Sequence, residues 1–277
     1  MNYRSHYRVG SALVVAALAM LFAACEDSTS VIPPVPAGNF AFVTTTDYST
    51  GSASVVSADS LLKATQNVAS ISSDALARFY GGRIYVLNRS GADNVQVLDP
   101  AAGFATIKQF TVGAGSDPED ITFLSRSRAF VSRYNEDQMW IVDTIQGRRT
   151  GQIDFHWLAD ADNIPEMSHM VMVGYRVFVA VQRLDRTTNW GPVGTSYVAV
   201  FDARTEQFLD ADPATGGVQP ITLAGTNPFG EMVWNDASGM IWVPTVGRWG
   251  IADGGIELID PNTLTTSGIV LSEATAG

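Results

Sequence analysis

The sequence has little of the chemistry on which many catalytic and metal sites depend. It contains one cysteine and three histidines in 277 residues. One cysteine cannot form a disulfide within the chain, and His156 and His169 alone cannot supply a three-histidine zinc site. No G-x-S-x-G turn, glycine-rich phosphate loop with its lysine, or His-Glu-x-x-His motif occurs. These absences argue against the common hydrolase, kinase and zinc-enzyme classes.

Positive charge is scarce as well. The chain has 17 Lys and Arg against 28 Asp and Glu, a formal net charge of −11. Nucleic acid is therefore not an expected partner, because its binding depends on neutralising phosphates with cations. Sustained helical periodicity is also missing after residue 24, so no helical domain is expected.

The first 24 residues have the pattern of a bacterial secretion signal. Arg4 and Arg8 precede the apolar run "VGSALVVAALAMLFAA", which is short for a membrane-spanning helix of roughly 20 residues. The stretch "LFAAC" resembles the lipobox of bacterial lipoproteins, although Phe22 stands where Leu, Val or Ile is usual. The resemblance implies cleavage before Cys25 and lipid modification of that cysteine; the alternative is a free or intermolecular thiol.

Three segments follow from this assignment. Residues 1–24 form the signal peptide, residues 25–38 a polar, Pro-rich tether, and residues 39–277 the folded domain. A lipid at Cys25 would anchor the protein to a membrane of the cell envelope, on its periplasmic or outer, extracellular side.

A recurring unit fills the folded domain. Each copy joins an aromatic-rich strand, a polar or Gly-containing turn and a β-branched strand that usually ends in Asp. A short apolar run precedes the last four copies and a further strand follows the Asp, which gives four strands per unit. The first four copies recur about every 42 to 48 residues, close to the blade length of a β-propeller. The copies begin at Asn39, Gly82, Ser127, Tyr175 and Gly239.

This repeat predicts an all-β protein, a β-propeller of four-stranded blades of which about five are visible. Strands that are apolar on both faces fit stacked blades; the alternative is an ordinary β-sandwich. The aromatic-Val second strand and the third strand ending in V-x-D resemble the YVTN-type repeats of bacterial surface and periplasmic β-propellers, over about residues 40 to 272. The resemblance implies a ring that commonly has seven blades, with roles from protein or polymer binding to enzymatic activity.

The strand count leaves this ring incomplete. The first unit begins at its second strand and the last unit ends near Glu273. Propellers usually close by combining strands from both chain ends, which removes exposed edges. We therefore expect a longer chain; an unusual closure is the alternative.

Carboxylates recur where the innermost strands begin, and His169 lies on one of these strands. In equivalent positions they would approach one end of the axial channel and bind a cation or a cationic partner. The alternative is that the acids cap turns, accept backbone hydrogen bonds or face water, and that the histidine is packed. The acids are Asp74, Glu119, Asp120, Glu166 and Glu231.

The loop "ADADNIPE" is the candidate Ca²⁺ site, with Asp160, Asp162 and Asn163 as oxygen ligands. It departs from the EF-hand pattern, because Ile164 takes a ligand position and the required Gly is missing. No other cofactor is expected.

Two tryptophans lie next to glycine in predicted loops. Trp190 in "TTNWGP" and Trp249 in "VGRWGIADGG" would suit stacking on a sugar ring or a protein hot spot; packing between blades is the alternative. Trp234 and Trp242 lie within predicted strands and are expected to pack between blades.

These features predict a lipid-anchored, secreted β-propeller that serves as a non-catalytic binding platform for a protein or a cell-envelope glycan. The insertions at Asp185 to Thr195 and Leu209 to Val218 are the first candidates for its contact surface. The alternative is a lactonase-like or quinoprotein-like propeller enzyme, whose site residues are not evident in the sequence.

Overall fold

A computed structural model describes residues 38–59 and 63–276, so Cys25 and the predicted signal peptide lie outside the described residues. The structure is 52% strand and 4% helix, which confirms the predicted all-β class. Within the described ranges, no helix is long and apolar enough to cross a membrane.

Five antiparallel sheets follow one another along the chain, and each is one blade. Blade 1 contains β1 (Phe40–Thr46), β2 (Gly51–Ser57) and β3 (Ala64–Ile71). Blade 2 contains β4 (Ala75–Tyr80), β5 (Arg83–Asn88), β6 (Asn94–Asp99) and β7 (Ala105–Thr111). Blade 3 contains β8 (Pro118–Ser125), β9 (Arg128–Arg133), β10 (Gln138–Asp143) and β11 (Arg148–Asp154).

Blade 4 carries an extra hairpin between its second and third strands. It contains β12 (Met167–Val173), β13 (Arg176–Val181), the hairpin β14 (Leu184–Asp185) with β15 (Gly191–Pro192), β16 (Tyr197–Asp202) and β17 (Ile221–Thr222). Blade 5 contains β18 (Val233–Asn235), β19 (Met240–Thr245), β20 (Gly255–Asp260) and β21 (Thr265–Ser272). In the part of the chain that the structure describes, the helical segments are two 3₁₀ turns, Pro100–Ala102 and His156–Leu158, and a helix at Glu273–Ala276.

The strand count agrees with the repeat read from the sequence. Blades 2 to 5 have four strands each, in chain order across the sheet, and β1 corresponds to a second strand. A cavity of about 290 Å³ near the axis is lined by the first strands of blades 2 to 4, β4, β8 and β12, and by Glu231 and Met232 just before β18 of blade 5.

Four apolar clusters hold the blades together, one at each interface between successive blades. Between blades 3 and 4, for example, the rings of Phe130 and Phe201 lie 5.0 Å apart between centroids. Between blades 2 and 3, Tyr80 stacks on Phe123 at 4.5 Å. A blade in the middle of the array therefore buries both faces, which is why its strands are apolar on both sides.

The recurring Asp at the end of each third strand closes the turn that follows. One carboxylate oxygen accepts a hydrogen bond from the backbone N–H two residues later, at 2.8 to 2.9 Å in all four cases. This is an Asx turn, and it explains the repeated residue without any role in ligand binding. The four residues are Asp99, Asp143, Asp202 and Asp260.

The up-and-down order of strands divides the turns between two faces. The turns that join first to second strands and third to fourth strands lie on one face, together with Gly38 just before β1; we name it the entry face. The turns that join second to third strands lie on the opposite face with the loops between blades; we name it the loop face. The extra hairpin of blade 4 belongs to the loop face.

Candidate ligand-binding site

A pocket of about 300 Å³ opens on the loop face where blades 3, 4 and 5 meet. Three of its aromatic residues are exposed: Trp190 is 42% exposed, Phe229 45% and Trp249 48%. We name it the aromatic pocket. Its lining residues are Tyr134, Gln182, Leu184, Asn189, Trp190, Asn227, Phe229 and Trp249.

Two aromatic pairs form the walls of the aromatic pocket. Tyr134, in the β9–β10 turn, stacks with Trp190 at 6.4 Å between ring centroids and 28° between planes. Phe229, in the loop before β18, meets Trp249, in the β19–β20 turn, edge to face at 5.3 Å and 78°. The pocket thus presents rigid apolar ring surfaces from three different blades.

The extra hairpin of blade 4 brings Trp190 into place. Asp185 accepts hydrogen bonds at Oδ1 from the backbone N–H groups of Thr187 (2.8 Å) and Thr188 (3.1 Å), which turns the chain. Asn189 and Trp190 then adopt left-handed backbone conformations, with φ of 58° and 54°. A bulky residue in this region is uncommon and strained, so surrounding contacts must hold it there.

Arg186 supplies those contacts from the same hairpin. Its Nε donates to Glu166 Oε1 at 2.7 Å, Nη1 to Asn135 Oδ1 at 2.7 Å, and Nη2 to the Tyr134 carbonyl at 3.0 Å. The guanidinium carbon also lies 5.5 Å from the Tyr134 ring centroid and 5.3 Å from that of Trp190. Arg186 therefore positions both rings and has each guanidinium nitrogen engaged by the protein.

Glu166, a predicted ligand-binding residue, lies beneath the aromatic pocket and is fully buried. Its second oxygen accepts a hydrogen bond from the backbone N–H of Leu184 at 3.0 Å. Burial raises the pKa of Glu166 to about 7, against the opposing effects of Arg186 and the Leu184 amide. The side chain anchors the hairpin to the blade, and no face of it is open to a ligand.

Buried amides join the three blades under the rings. Gln182 accepts a hydrogen bond from the Tyr134 hydroxyl at 2.6 Å and donates to the Pro228 carbonyl at 3.0 Å. Asn227 donates from Nδ2 to the Gly247 carbonyl at 3.2 Å, and its own N–H is bonded to Ser196 Oγ at 2.9 Å. Burial raises the pKa of Tyr134, which keeps its hydroxyl a donor.

Four of the acids singled out in the sequence lie in two separate ion-pair groups around arginines. In the axial cavity, Arg78 donates to Asp120 at 2.8 Å and to Glu231 at 2.8 Å. Asp120 also accepts a hydrogen bond from the Met170 N–H at 2.8 Å. These contacts link blades 2, 3, 4 and 5 around the axis.

The second group lies near the loop-face end of the innermost strands. Arg89 binds Asp74 at 2.6 Å and also forms an ion pair with Glu119. Burial raises the pKa of Glu119 to about 7, and the nearby Arg89 opposes this rise.

His169 is 8% exposed and its buried Nδ1 has no hydrogen-bond partner in the described residues. Burial lowers the pKa of His169, which favours the neutral ring.

In the candidate calcium loop, two carboxylate oxygens accept hydrogen bonds from the backbone of the loop itself. Asp160 Oδ1 accepts a hydrogen bond from the Asp162 N–H at 3.2 Å, and Asp162 Oδ1 accepts one from the Ile164 N–H at 2.8 Å. In residues 38–59 and 63–276, no group of three or more His, Cys, Asp or Glu side chains is arranged to hold a metal ion. The geometry gives no support to Ca²⁺ binding by Asp160, Asp162 and Asn163.

The other sequence expectations have mixed outcomes. Trp234 packs against the cluster between blades 4 and 5, as expected. Trp242 is instead 40% exposed, because Ile241 and Val243 point to blade 4 and the alternation of β19 turns Trp242 to the opposite face. The insertion at Leu209 to Val218 is not part of the aromatic pocket, and Leu209 pairs with Val200 through a 2.8 Å backbone hydrogen bond.

Sequence reasoning singled out Trp190 and Trp249, and Phe229 among the aromatic residues in or near loops, but not Tyr134 or Arg186. Tyr134 and Phe229 sit in turns of other blades, and Arg186 lies within the insertion already singled out. Their signal was positional: each aromatic residue follows the second strand of a blade or precedes the first strand of the next. Superposing the repeats would have placed these turns on one face.

Comparisons with known proteins agree with the propeller architecture. A protein from Lactobacillus plantarum is similar at 14% identity and a TM-score of 0.56, with 84% of this chain and 67% of that chain covered. A candidate 6-phosphogluconolactonase from Bacteroides uniformis is similar at 12% identity and a TM-score of 0.51, with 84% of this chain and 67% of that chain covered. Hydrazine synthase from Kuenenia stuttgartiensis is similar at 17% identity and a TM-score of 0.50, with 78% of this chain and 64% of that chain covered.

The class defined by the fold is the β-propeller. At these identities the similarity shows the fold alone, and the chain spans about two thirds of the length of each of these structures. No protein-family model matches the sequence, and neither does any curated protein.

Proposed function

We propose that this β-propeller is a non-catalytic binding platform for a cell-envelope glycan, and that the aromatic pocket holds its sugar rings. The observation that carries the proposal is the pocket itself: Tyr134, Trp190, Phe229 and Trp249 surround a cavity of about 300 Å³. Flat apolar rings with a single donor stack well on the C–H faces of sugars. The volume is at the lower end of small-molecule sites.

The lining of the pocket favours binding over catalysis. Apart from the tyrosine, whose pKa is raised, none of its lining residues can titrate. General acid–base catalysis requires a titratable group within reach of the substrate. A neutral glycan also suits a wall without charge, whereas a protein partner would need a surface much larger than this cavity.

A lipid anchor at Cys25 complements this role. The first described residue, Gly38, lies on the entry face, just before β1. The aromatic pocket lies on the opposite, loop face. Such an arrangement fits a receptor for envelope polysaccharide at the periplasmic or outer side of a membrane.

Intrinsic tryptophan fluorescence tests the proposal. The full-length protein is titrated with soluble peptidoglycan and polysaccharide fragments, next to the variants Trp190→Ala and Trp249→Ala. We expect each variant to weaken binding by about tenfold or more. Trp157→Ala is the matched control, because Trp157 is 43% exposed but lies outside the pocket.

Two outcomes would overturn the glycan assignment. One is equal weakening by the control variant, which would indicate a general loss of structure. The other is a protein that binds none of the fragments yet hydrolyses lactones, which would favour an enzymatic role.

A further inference from the structure

A second cavity lies on the entry face, between blades 2 and 3, and is unrelated to the aromatic pocket. Its volume is about 470 Å³. The β4–β5 turn, strand β7, the β8–β9 turn and the β10–β11 turn surround it. We name it the interblade cleft; Lys108, Arg126, Tyr85, Val97, Ile107 and Ile145 are its principal lining residues.

Lys108 and Arg126 stand out among the cations of the domain. Every arginine of the described residues except Arg126 donates at least one side-chain hydrogen bond to a protein oxygen. In residues 38–59 and 63–276, the exposed Arg126, the half-buried Lys108 and the exposed Lys63 have no side-chain partner, and of these three only Lys108 and Arg126 share a cleft. Two unpaired cations in one cleft are unexpected in a chain of net charge −11.

Glycines in the turns around the cleft let the side chains of both cations pack closely against the backbone. An ideal Cβ on Gly81 would lie 3.2 Å from Arg126 Nε, and one on Gly147 would lie 3.0 Å from Lys108 Cδ. Both glycines have positive φ, 55° and 71°. The turn that carries Arg126 is fixed as well, because the buried Thr144 donates its hydroxyl to the Arg126 carbonyl.

Apolar surface adjoins these charges. Ile107 is 49% exposed and Ile145 is 61% exposed, and both line the cleft. An unpaired guanidinium and ammonium suit a phosphate group, which accepts both a two-pronged and a point-charge donor. The isoleucines suit an apolar group attached to that phosphate.

We propose that the interblade cleft binds a phosphate monoester carried on an apolar body, through Lys108 and Arg126. Two sources share this chemistry: a lipid headgroup such as phosphatidic acid, and a free phosphorylated compound.

Trace acetylation of lysine tests this site on the full-length protein in nonionic detergent. The chain has two lysines, Lys63 and Lys108, so exposed Lys63 is an internal reference for reagent and solvent effects. Peptide masses give the acetylation rate of each with inorganic phosphate, glycerol 3-phosphate, or micelles containing phosphatidic acid. We expect at least one of these probes to protect Lys108 and leave Lys63 unchanged.

Variants assign that protection to the cleft. Arg126→Ala should weaken binding of the protecting ligand by about tenfold or more, since it removes charged hydrogen bonds to the phosphate. Arg148→Ala is the matched control: Arg148 is exposed and begins β11 on the same face, and its side chain donates only to Gln146. Protection by the soluble phosphates assigns a free compound, whereas protection only in phosphatidic acid micelles assigns a lipid headgroup.

Two results would overturn the proposal. One is an unchanged Lys108 rate with all three probes. The other is equal loss of protection in Arg126→Ala and Arg148→Ala, which would mean that total charge, and not the cleft, attracts phosphate.

Discussion

Arg186 donates from Nε to Oε1 of the fully buried Glu166 at 2.7 Å, and this ion pair fastens the hairpin that carries Trp190 to the propeller. The other guanidinium nitrogens bind Asn135 and the Tyr134 carbonyl. One side chain thereby joins turns of blades 3 and 4. The shape of the aromatic pocket depends on a charge pair that lies beneath it.

Removing Arg186 should loosen the aromatic pocket and destabilise the domain. Above pH 7, where Glu166 is ionised, Arg186→Ala leaves this carboxylate buried without its cation, and breaking such a pair costs about 3 kcal/mol. We expect a lower free energy of unfolding in urea and red-shifted tryptophan emission as Trp190 becomes more exposed. The double variant Arg186→Ala/Glu166→Gln should recover part of the stability. If both variants lose the same stability, the buried charge is not the cause.

Stability should fall as pH rises through neutrality, because of two buried acids. Burial raises the pKa of both Glu119 and Glu166 to about 7 from an ordinary value of 4.5. Their protonated forms are therefore favoured in the folded state. Each contributes stability that is fully present below pH 4.5 and lost as pH rises through about 7, on the order of 3 kcal/mol per carboxyl.

Glutamine variants isolate this contribution. Free energies of unfolding are measured between pH 4.5 and pH 8 for the natural protein, Glu119→Gln and Glu166→Gln. Relative to each variant, the natural protein should lose stability as the pH rises. The opposite trend would show that pairing with Arg89 or Arg186 outweighs burial and that the folded-state pKa lies below 4.5.

The fold was predictable because the same pattern of strands and turns, with strands that are apolar on both faces, recurs in successive blades. In β9, the buried side chains of Phe130 and Val131 face blades on opposite sides. A strand with apolar residues at successive positions therefore indicates a sheet covered on both faces. The Asp that ends each third strand marks the next turn, so the unit could be counted from the sequence.

The candidate site was only partly predictable, because its residues come from separate blades. Trp190 and Trp249 were identifiable next to glycine, but Tyr134 joins them only after three blades have packed together. The carboxylates near the axis were identified without Arg78 and Arg89, which pair with them from blade 2. Residues that pair across blades are far apart in the sequence and follow no fixed spacing, so a single sequence does not reveal them.

The axial arginine should be one of the most sensitive positions in the protein. Arg78→Met removes the cation paired with Asp120, whose side chain is 1% exposed, and should cost about 3 to 5 kcal/mol. Arg204→Met is the matched control, because Arg204 is 57% exposed in its pair with Asp202, where solvent screens the charges, and should cost far less stability. Urea unfolding compares the two. Similar losses would contradict a structural role for the axial ion pair.

The repeated Asp should act as a hydrogen-bond acceptor and not as a charge. Asp143 Oδ1 accepts hydrogen bonds from the backbone N–H groups of Ile145 and Gln146, both at 2.9 Å. Asp143→Ala removes this acceptor and should lower the free energy of unfolding by about 1 kcal/mol. Asp143→Asn keeps a side-chain oxygen in the same place and should lose less than about half of that amount. An Asn variant as unstable as the Ala variant would mean that the negative charge itself is needed, and the Asx turn would then not explain why Asp ends the third strand of every four-stranded blade.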